Sequence, residues 1–365
     1  MVQACLFSFY FLTPRFRHSL SIRLLAAALL VMATVKADQL YQMLGGLQLA
    51  PEYGFLLSPF QWLMAPLLYF FVRSKTIPGF SFSGKDTLHL IPFVVIGVFY
   101  TVEFFTLTTA EKQALLASGW LKTIPNRVII PLVGDLTQLA YLLAALGLMN
   151  RFGIYLKDWF SSIEKREMRW LKRIILIWIG VFLLHLFYVL VQVFDGRLPF
   201  ALQVLDTMNV IHFLMVNVMA LAAITDYFEA SRQSENSDTP PQEYKAPSLP
   251  AGEREALFER LETFMQEDQP FLENDLTLRM LADRLALTPR ELSETINKQS
   301  GRNFFDYINR YRIEAAQQKL RTDVTARILD VALDSGFNSK SVFNEAFKRH
   351  SGETPSAYRA RHSAR

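Results

Sequence analysis

The chain has 365 residues, enough for two or three domains; 51% of them are hydrophobic and only 20% are charged. Its one cysteine, Cys5, excludes an internal disulfide framework and any cysteine-based metal cluster. A net charge of +4 is too small to argue for a polyanionic partner by itself, so the placement of the charges matters more.

Apolar residues crowd positions 1–228, while the remainder reads as ordinary water-soluble sequence. A membrane-crossing helix needs roughly 20 mostly apolar residues. Six stretches qualify: 20–44, 55–73, 88–108, 128–149, 172–194 and 200–225. A seventh, 1–13, is apolar but short, and it has neither the charged start nor the cleavage site of a secretory signal. The expectation for 1–228 is a multi-span membrane domain of six full spans plus a short N-terminal apolar segment.

Basic residues in the connecting loops set the orientation. Arg15, Arg17, Arg23, Arg73, Lys75, Lys85, Arg151, Lys157, Lys165, Arg166, Arg169, Lys172 and Arg173 fall on one side. Only Lys112, Lys122, Arg127 and Arg197 fall on the other. The rich side reads as cytoplasm, and an even number of spans places the chain after residue 228 there too. This pattern predicts a multi-pass protein of a bacterial inner membrane, with the lipid bilayer around its first half.

Polar residues inside such spans are costly and need a reason. His89, Tyr100 and Glu103 share a stripe of the third expected span, Asp135 and Gln138 a face of the fourth, and His185, Tyr188 and Gln192 a face of the fifth. Asp206, Asn209 and His212 share a broad face of the sixth. They can be interhelical hydrogen bonds that hold a bundle together, or the lining of a pocket for a small-molecule or envelope signal. No ligand-spaced motif joins His185 and His212, so no metal or cofactor is expected.

Residues 229–252 are rich in Ser, Pro, Glu and Gln without apolar periodicity, the composition of a flexible linker. After it, 253–268 reads as an amphipathic helix with Leu257, Phe258, Leu261, Phe264 and Met265 on one face. Thr277 then caps a short helix, and Thr288 caps another with Pro289 at its first position and Glu291 at its third. Two short helices joined by a tight turn, with small Ala282 where they cross, read as a helix-turn-helix.

The same pattern returns about fifty residues on. Ala332 takes the place of Ala282, Gly336 sits at the turn, and Ser339 caps the second recognition helix. Leu292, Ile296 and Gly301 match Phe343, Phe347 and Gly352 at a constant offset of 51, whereas the supporting helices align at 50. An extra residue therefore occupies the second turn. Between the units Asn303 caps a helix from Phe304 to Leu320. At 1.5 Å per residue, its roughly 25 Å would set two recognition helices apart for successive major grooves.

The stretch from about 254 to 360 resembles the DNA-binding domain of AraC/XylS-type regulators. The resemblance is carried by Ile328, Val331, Ala332, Gly336, Phe337, Phe343, Phe347, Lys348, Arg349, Gly352, Thr354, Pro355, Tyr358 and Arg359, with Arg312 and Ala316 in the linking helix. Leu292, Ser293, Ile296, Asn297, Asn303 and Phe304 further resemble the branch of that family in which the domain follows a multi-span membrane region. The resemblance implies an all-α chain: a polytopic helical bundle, then a double helix-turn-helix domain over 253–365 that binds double-stranded DNA. One departure is Glu345, where that family often has a basic residue; its counterpart in the first unit is Glu294.

Candidate base readers are the outward positions of each recognition helix: Arg290, Glu294 and Asn297 in the first, and Lys340, Ser341, Asn344 and Glu345 in the second. Lys298, Arg302, Lys340, Lys348 and Arg349 are the phosphate-contact candidates; each taken singly could equally belong to a solvated charged face. Residues 298–365 hold 13 basic against 7 acidic side chains, and the acids cluster before residue 295.

Three functional classes follow. One is a one-component transcription regulator, with RNA polymerase and a second copy of the chain as further partners. Another is a membrane-anchored interaction protein whose helix-turn-helix domain binds another regulator. The third, a membrane enzyme or transporter, has no nucleophile–base pair or phosphate loop behind it, so the chain is not expected to be an enzyme.

Overall fold

The computed structural model describes residues 2–13, 16, 19–164, 167–194, 211, 214, 217–222, 224–225, 250–323 and 325–363. These residues are helical almost throughout, with a lone β-bridge between Phe160 and Thr277. They divide into two compact units: 1–150 with 169–236, and 151–168 with 237–365.

In the first unit α1 (Val2–Phe11) packs on α2 (Leu20–Met43), where the Ser8 hydroxyl donates to the Ala26 carbonyl at 2.8 Å. Buried Ala26, Ala28 and Ala33 keep the faces of α2 low enough for close helix packing. After the short α3 (Gly46–Leu49), α4 (Met64–Thr76) lies along α2 and buries Leu68, Phe70, Phe71 and Val72. Next come α5 (Ile91–Tyr100) and α6 (Thr109–Ala117), the latter started by a Thr108/Glu111 capping box. Long α7 (Ile130–Trp159) and α8 (Arg169–Phe194) follow, and the described residues 217–222 are helical as well.

Among the described residues five helical stretches are long and apolar enough to cross a membrane: Leu20–Met43, Pro51–Thr76, Gly84–Phe105, Ile130–Trp159 and Arg169–Phe187. They coincide with five of the six expected spans. The first apolar segment forms a helix of only 10 residues, and most of the sixth expected span lies outside the described residues, as do residues 229–249 of the expected linker.

The second unit holds α9 (Ala251–Glu267), α10 (Leu278–Arg284), α11 (Pro289–Ser300), α12 (Phe304–Thr322), α13 (Ile328–Asp334), α14 (Lys340–Ser351) and α15 (Pro355–Ser363). It has two cores. Leu261, Met265, Leu278, Leu281, Ala282, Leu292 and Ile296 close the first around Phe304, Tyr307, Ile308 and Tyr311 of α12. Val331, Ala332, Phe337, Phe343, Phe347 and Tyr358 close the second around Ile313, Ala316 and Leu320 of the same helix. Helix α12 is a shared spine, and Arg312 sits at the seam where one core ends and the other begins.

The duplication seen in sequence extends to the amide hydrogen bonds that open each turn. Ala286 and Leu287 donate their amides to Asp283 and Ala282, while Gly336 and Phe337 donate to Leu333 and Ala332. Both turn residues have positive φ, +51° at Ala286 and +86° at Gly336. An L-residue there carries ~1–2 kcal/mol of strain, and glycine adds up to ~1 kcal/mol of unfolded-chain entropy. Ala286→Gly is therefore expected to stabilise this unit by about 0.5–1 kcal/mol, read as a higher thermal midpoint of the detergent-solubilised chain. A lower midpoint would show the turn to be unstrained.

Candidate nucleic-acid interface

Both recognition helices are specified by local chemistry. The Thr288 hydroxyl accepts from the Glu291 amide at 3.3 Å while the Glu291 carboxylate accepts from the Thr288 amide at 2.8 Å. The Ser339 hydroxyl accepts from the Val342 amide at 3.4 Å. Glycines in left-handed conformation, Gly301 and Gly352, end the two helices. Each helix turns its apolar side inward, with Leu292, Ile296, Phe343 and Phe347 fully buried, which fixes the side that is left to solvent.

On that outward side α11 exposes Arg290, Asn297 and Lys298, with Arg302 just beyond its end. Helix α14 exposes Lys340, Ser341, Glu345, Lys348 and Arg349. Asn344 is half-buried, and its Oδ1 is enclosed without a hydrogen-bond partner, so it is the least available of the outward candidates on α14. Asn297 donates to the Ser293 hydroxyl at 3.3 Å, which orients its amide along the helix.

The two acids that depart from the family pattern have basic partners. Glu345 accepts from Arg349 one turn on at 2.8 Å, and Arg349 also lies 3.9 Å from Asp306. Glu294 is half-buried beneath α9, 3.5 Å from Arg254. Neither carboxylate stands as an isolated negative charge against a phosphate backbone. Partial burial lowers the His350 imidazole below its usual range; Asp306 opposes this while Arg349 and Arg302 add to it. At neutral pH the last turn of α14 thus carries its charge on Lys348 and Arg349.

Behind this surface lies a residue that sequence reasoning noted only as part of a motif. Arg312 is fully buried at the seam of α12. Its Nε donates to the Phe271 carbonyl at 2.7 Å, and its Nη2 donates to the Glu273 carbonyl at 2.7 Å. Burial lowers its pKa to about 10, against the pull of Glu164 and Asp275, so it remains charged at neutral pH. Asn338, the extra residue of the second turn, donates to Asp275 at 3.3 Å. The spacing of the units signalled that residue; its partners, some sixty positions away, left no local trace.

The polar candidates of the first unit sort differently. Asp135 and His185 form a pair at 2.7 Å, while His89 pairs with Tyr141 at 2.6 Å, a residue not among the candidates. Glu103 is exposed and Gln138 half-buried. The Tyr188 side chain, Asp206, Asn209 and His212 lie outside the described residues. Among the described residues no group of three His, Cys, Asp or Glu side chains is placed to hold a metal ion.

A helix-turn-helix domain family matches residues 281–361. An uncharacterized HTH-type transcriptional regulator of Staphylococcus aureus (strain COL) is 36% identical over 86 residues, which is 23% of this chain and 11% of its own length. The HTH-type transcriptional activator RhaR of Salmonella dublin is 28% identical over 116 residues, 32% of this chain and 40% of its own. The solved C-terminal domain of the two-component response regulator yesN from Fusobacterium nucleatum is 27% identical, with a TM-score of 0.26; the match covers 28% of this chain and 98% of that one. The chain thus spans well under half the length of either curated relative. What the match establishes is a C-terminal helix-turn-helix domain of the AraC type.

Proposed function

We propose that the chain is a membrane-bound one-component transcription regulator. It would read promoter DNA with both helix-turn-helix units, in response to a signal taken up by its apolar half. The observation that carries this reading is the duplicated pair α11 and α14, each capped, each buried on one side and basic on the other, on one rigid spine. Lys298, Arg302, Lys340 and Lys348 supply phosphate contacts, and Arg290, Asn297, Lys340 and Ser341 face base edges. With Glu294 and Glu345 paired to arginines, we assign them no base-reading role in the free domain.

The membrane part of the reading rests on the five long apolar helices. In Gly84–Phe105 only 11% of the most apolar window is buried, and Val94, Val95, Val98 and Val102 lie exposed along it. So large an apolar surface needs a cover, and a bilayer fits its length. The basic bias of the loops supports a C-terminal domain in the cytoplasm, where DNA is. The Asp135–His185 pair is the best-placed start of a signal pocket, because ionisable side chains inside a span are costly unless they have work to do.

The test is genome-wide occupancy of the intact membrane protein beside a variant carrying Arg290→Ala, Lys340→Ala and Lys348→Ala. Sharp promoter peaks lost in the variant are expected. Absence of peaks across inducing conditions, with the protein present in the membrane, would favour an interaction module that binds another regulator. On an identified site, each phosphate-contacting lysine removed is expected to lower the slope of log affinity against log salt by about 0.9. An unchanged slope for Lys340→Ala and Lys348→Ala together would remove them from the interface.

A further inference from the structure

Residues 151–168, the last turns of α7 and the connection from it to α8, cluster with the C-terminal unit. The segment is seated there by specific bonds. Phe160 makes an antiparallel bridge with Thr277. The Ser161 amide and hydroxyl both donate to the Leu276 carbonyl, at 3.2 and 2.6 Å, and the Ser162 hydroxyl donates to the Asn274 carbonyl at 2.8 Å. Leu156, Phe160 and Ile163 close over Phe305 of α12, and the Lys157 ammonium lies 5.9 Å from the centroid of that ring.

The segment also completes the shell of Arg312. Nη1 donates to the Ser161 carbonyl at 3.2 Å and to the Ser162 hydroxyl at 3.3 Å, and Nη2 donates to the Ser161 hydroxyl at 3.0 Å. The same guanidinium holds the carbonyls of Phe271 and Glu273 ahead of α10, and lies 5.8 Å from the centroid of the Phe337 ring in the second turn. Three pieces therefore meet on one side chain: the 151–168 segment, the entry to the first helix-turn-helix, and the turn of the second.

We propose that the helix-turn-helix domain carries a docking groove whose occupant is this chain's own 151–168 segment, and that docking latches the joint between the two helix-turn-helix units. None of the bonds above falls on the exposed residues of α11 or α14, so the docked segment fixes their relative setting without covering the face they present. A rearrangement of α7 or α8 would reach the joint along the chain itself, withdrawing Ser161 and Ser162 from Arg312 and loosening the spacing of the two recognition helices. The DNA consequence rests on the regulator reading; the docking does not.

The test uses the full chain in lipid nanodiscs. Ser161→Arg brings a second guanidinium against Arg312 at a position only 1% exposed, and should expel the segment. Hydrogen exchange is expected to rise at 270–278 and 336–339, with the interiors of α11 and α14 still protected. Affinity for DNA carrying both half-sites should fall about tenfold, a normal size for coupling between sites, while affinity for a single half-site holds. The double variant Ser161→Ala, Ser162→Ala keeps the packing and removes only side-chain bonds; it should show the same pattern at about fivefold, the low end of coupling between sites. It decides the matter if Ser161→Arg does not fold. Unchanged exchange at 270–278 in the double variant would overturn the docking. Raised exchange with unchanged two-site affinity would overturn the latch. A wild-type chain that binds no DNA would overturn the regulator reading, leaving exchange to decide the docking.

Discussion

Arg312→Met is expected to destabilise the C-terminal unit by about 2–5 kcal/mol, the scale of leaving two buried acceptors without a donor at about 1–3 kcal/mol each. Methionine fills much of the same volume, so the loss would come from hydrogen bonding. The carbonyls of Phe271 and Ser161 would lose their donor, and a buried acceptor left unpaired costs about 1–3 kcal/mol; the Glu273 carbonyl keeps the Leu276 amide. The charge itself contributes nothing favourable. Because burial lowers Arg312 to about 10, the folded chain holds that proton less tightly than the unfolded chain, so the charged form counts against folding at neutral pH. Stability from this group would rise only as pH climbs through and above 10. What favours arginine here is its planar fork, which reaches several acceptors at once. Arg312→Lys keeps the charge but not the fork, and should cost about 2–3 kcal/mol, within the range for buried groups left unpaired. Hydrogen exchange of the α12 amides in the full chain measures both. A lysine variant as stable as the wild type would show that charge, not geometry, is what the seam requires.

The parts of the fold that could be read from sequence are those whose causes are local. Thr277, Thr288, Asn303 and Ser339 cap the helices they were expected to cap, because a cap needs only the next three residues. Leu292, Ile296, Phe343 and Phe347 are buried because helical periodicity states which side must be. The docking of 151–168 follows no such rule. Ser161 and Leu276 are separated by more than a hundred positions, and neither residue type announces a partner. The segment was expected to be a loop of the apolar half on the ground of its place in the chain alone. The same reasoning explains Glu294, whose partner Arg254 lies on another helix.

The apolar half shows a second kind of limit. Grouping His89, Tyr100 and Glu103 on one stripe assumed a uniform turn of 3.6 residues. The helix over 84–105 begins with a 3₁₀ stretch, Gly84–Leu90, and ends with a π turn, Thr101–Phe105. Each changes the angle per residue, so the register drifts: His89 turns to Tyr141, while Glu103 is exposed. Local departures of this kind are invisible to a periodicity count, yet they decide which polar groups can meet.

Gly336→Ala is expected to cost about 2–5 kcal/mol, from ~1–2 of left-handed strain and ~1–3 of forced overpacking. The strain follows from a φ of +86°. The overpacking is specific to this site. A Cβ at Gly336 would stand 2.5 Å from the Phe271 carbonyl oxygen, 2.9 Å from Arg312 Nε and 3.1 Å from the Leu272 Cα. Two of those atoms are backbone and the third is locked in the Arg312 network, so nothing can move aside cheaply. Gly301 is the control, since it has φ of +67° and nothing within 4 Å of the position its Cβ would take. Gly301→Ala should therefore cost only about 1 kcal/mol. Thermal unfolding of both variants, with hydrogen exchange at 270–278, separates the two contributions. A Gly336→Ala variant that behaves like Gly301→Ala would mean that the second turn does not press on the entry to the first unit. The two recognition helices would then be coupled through α12 alone.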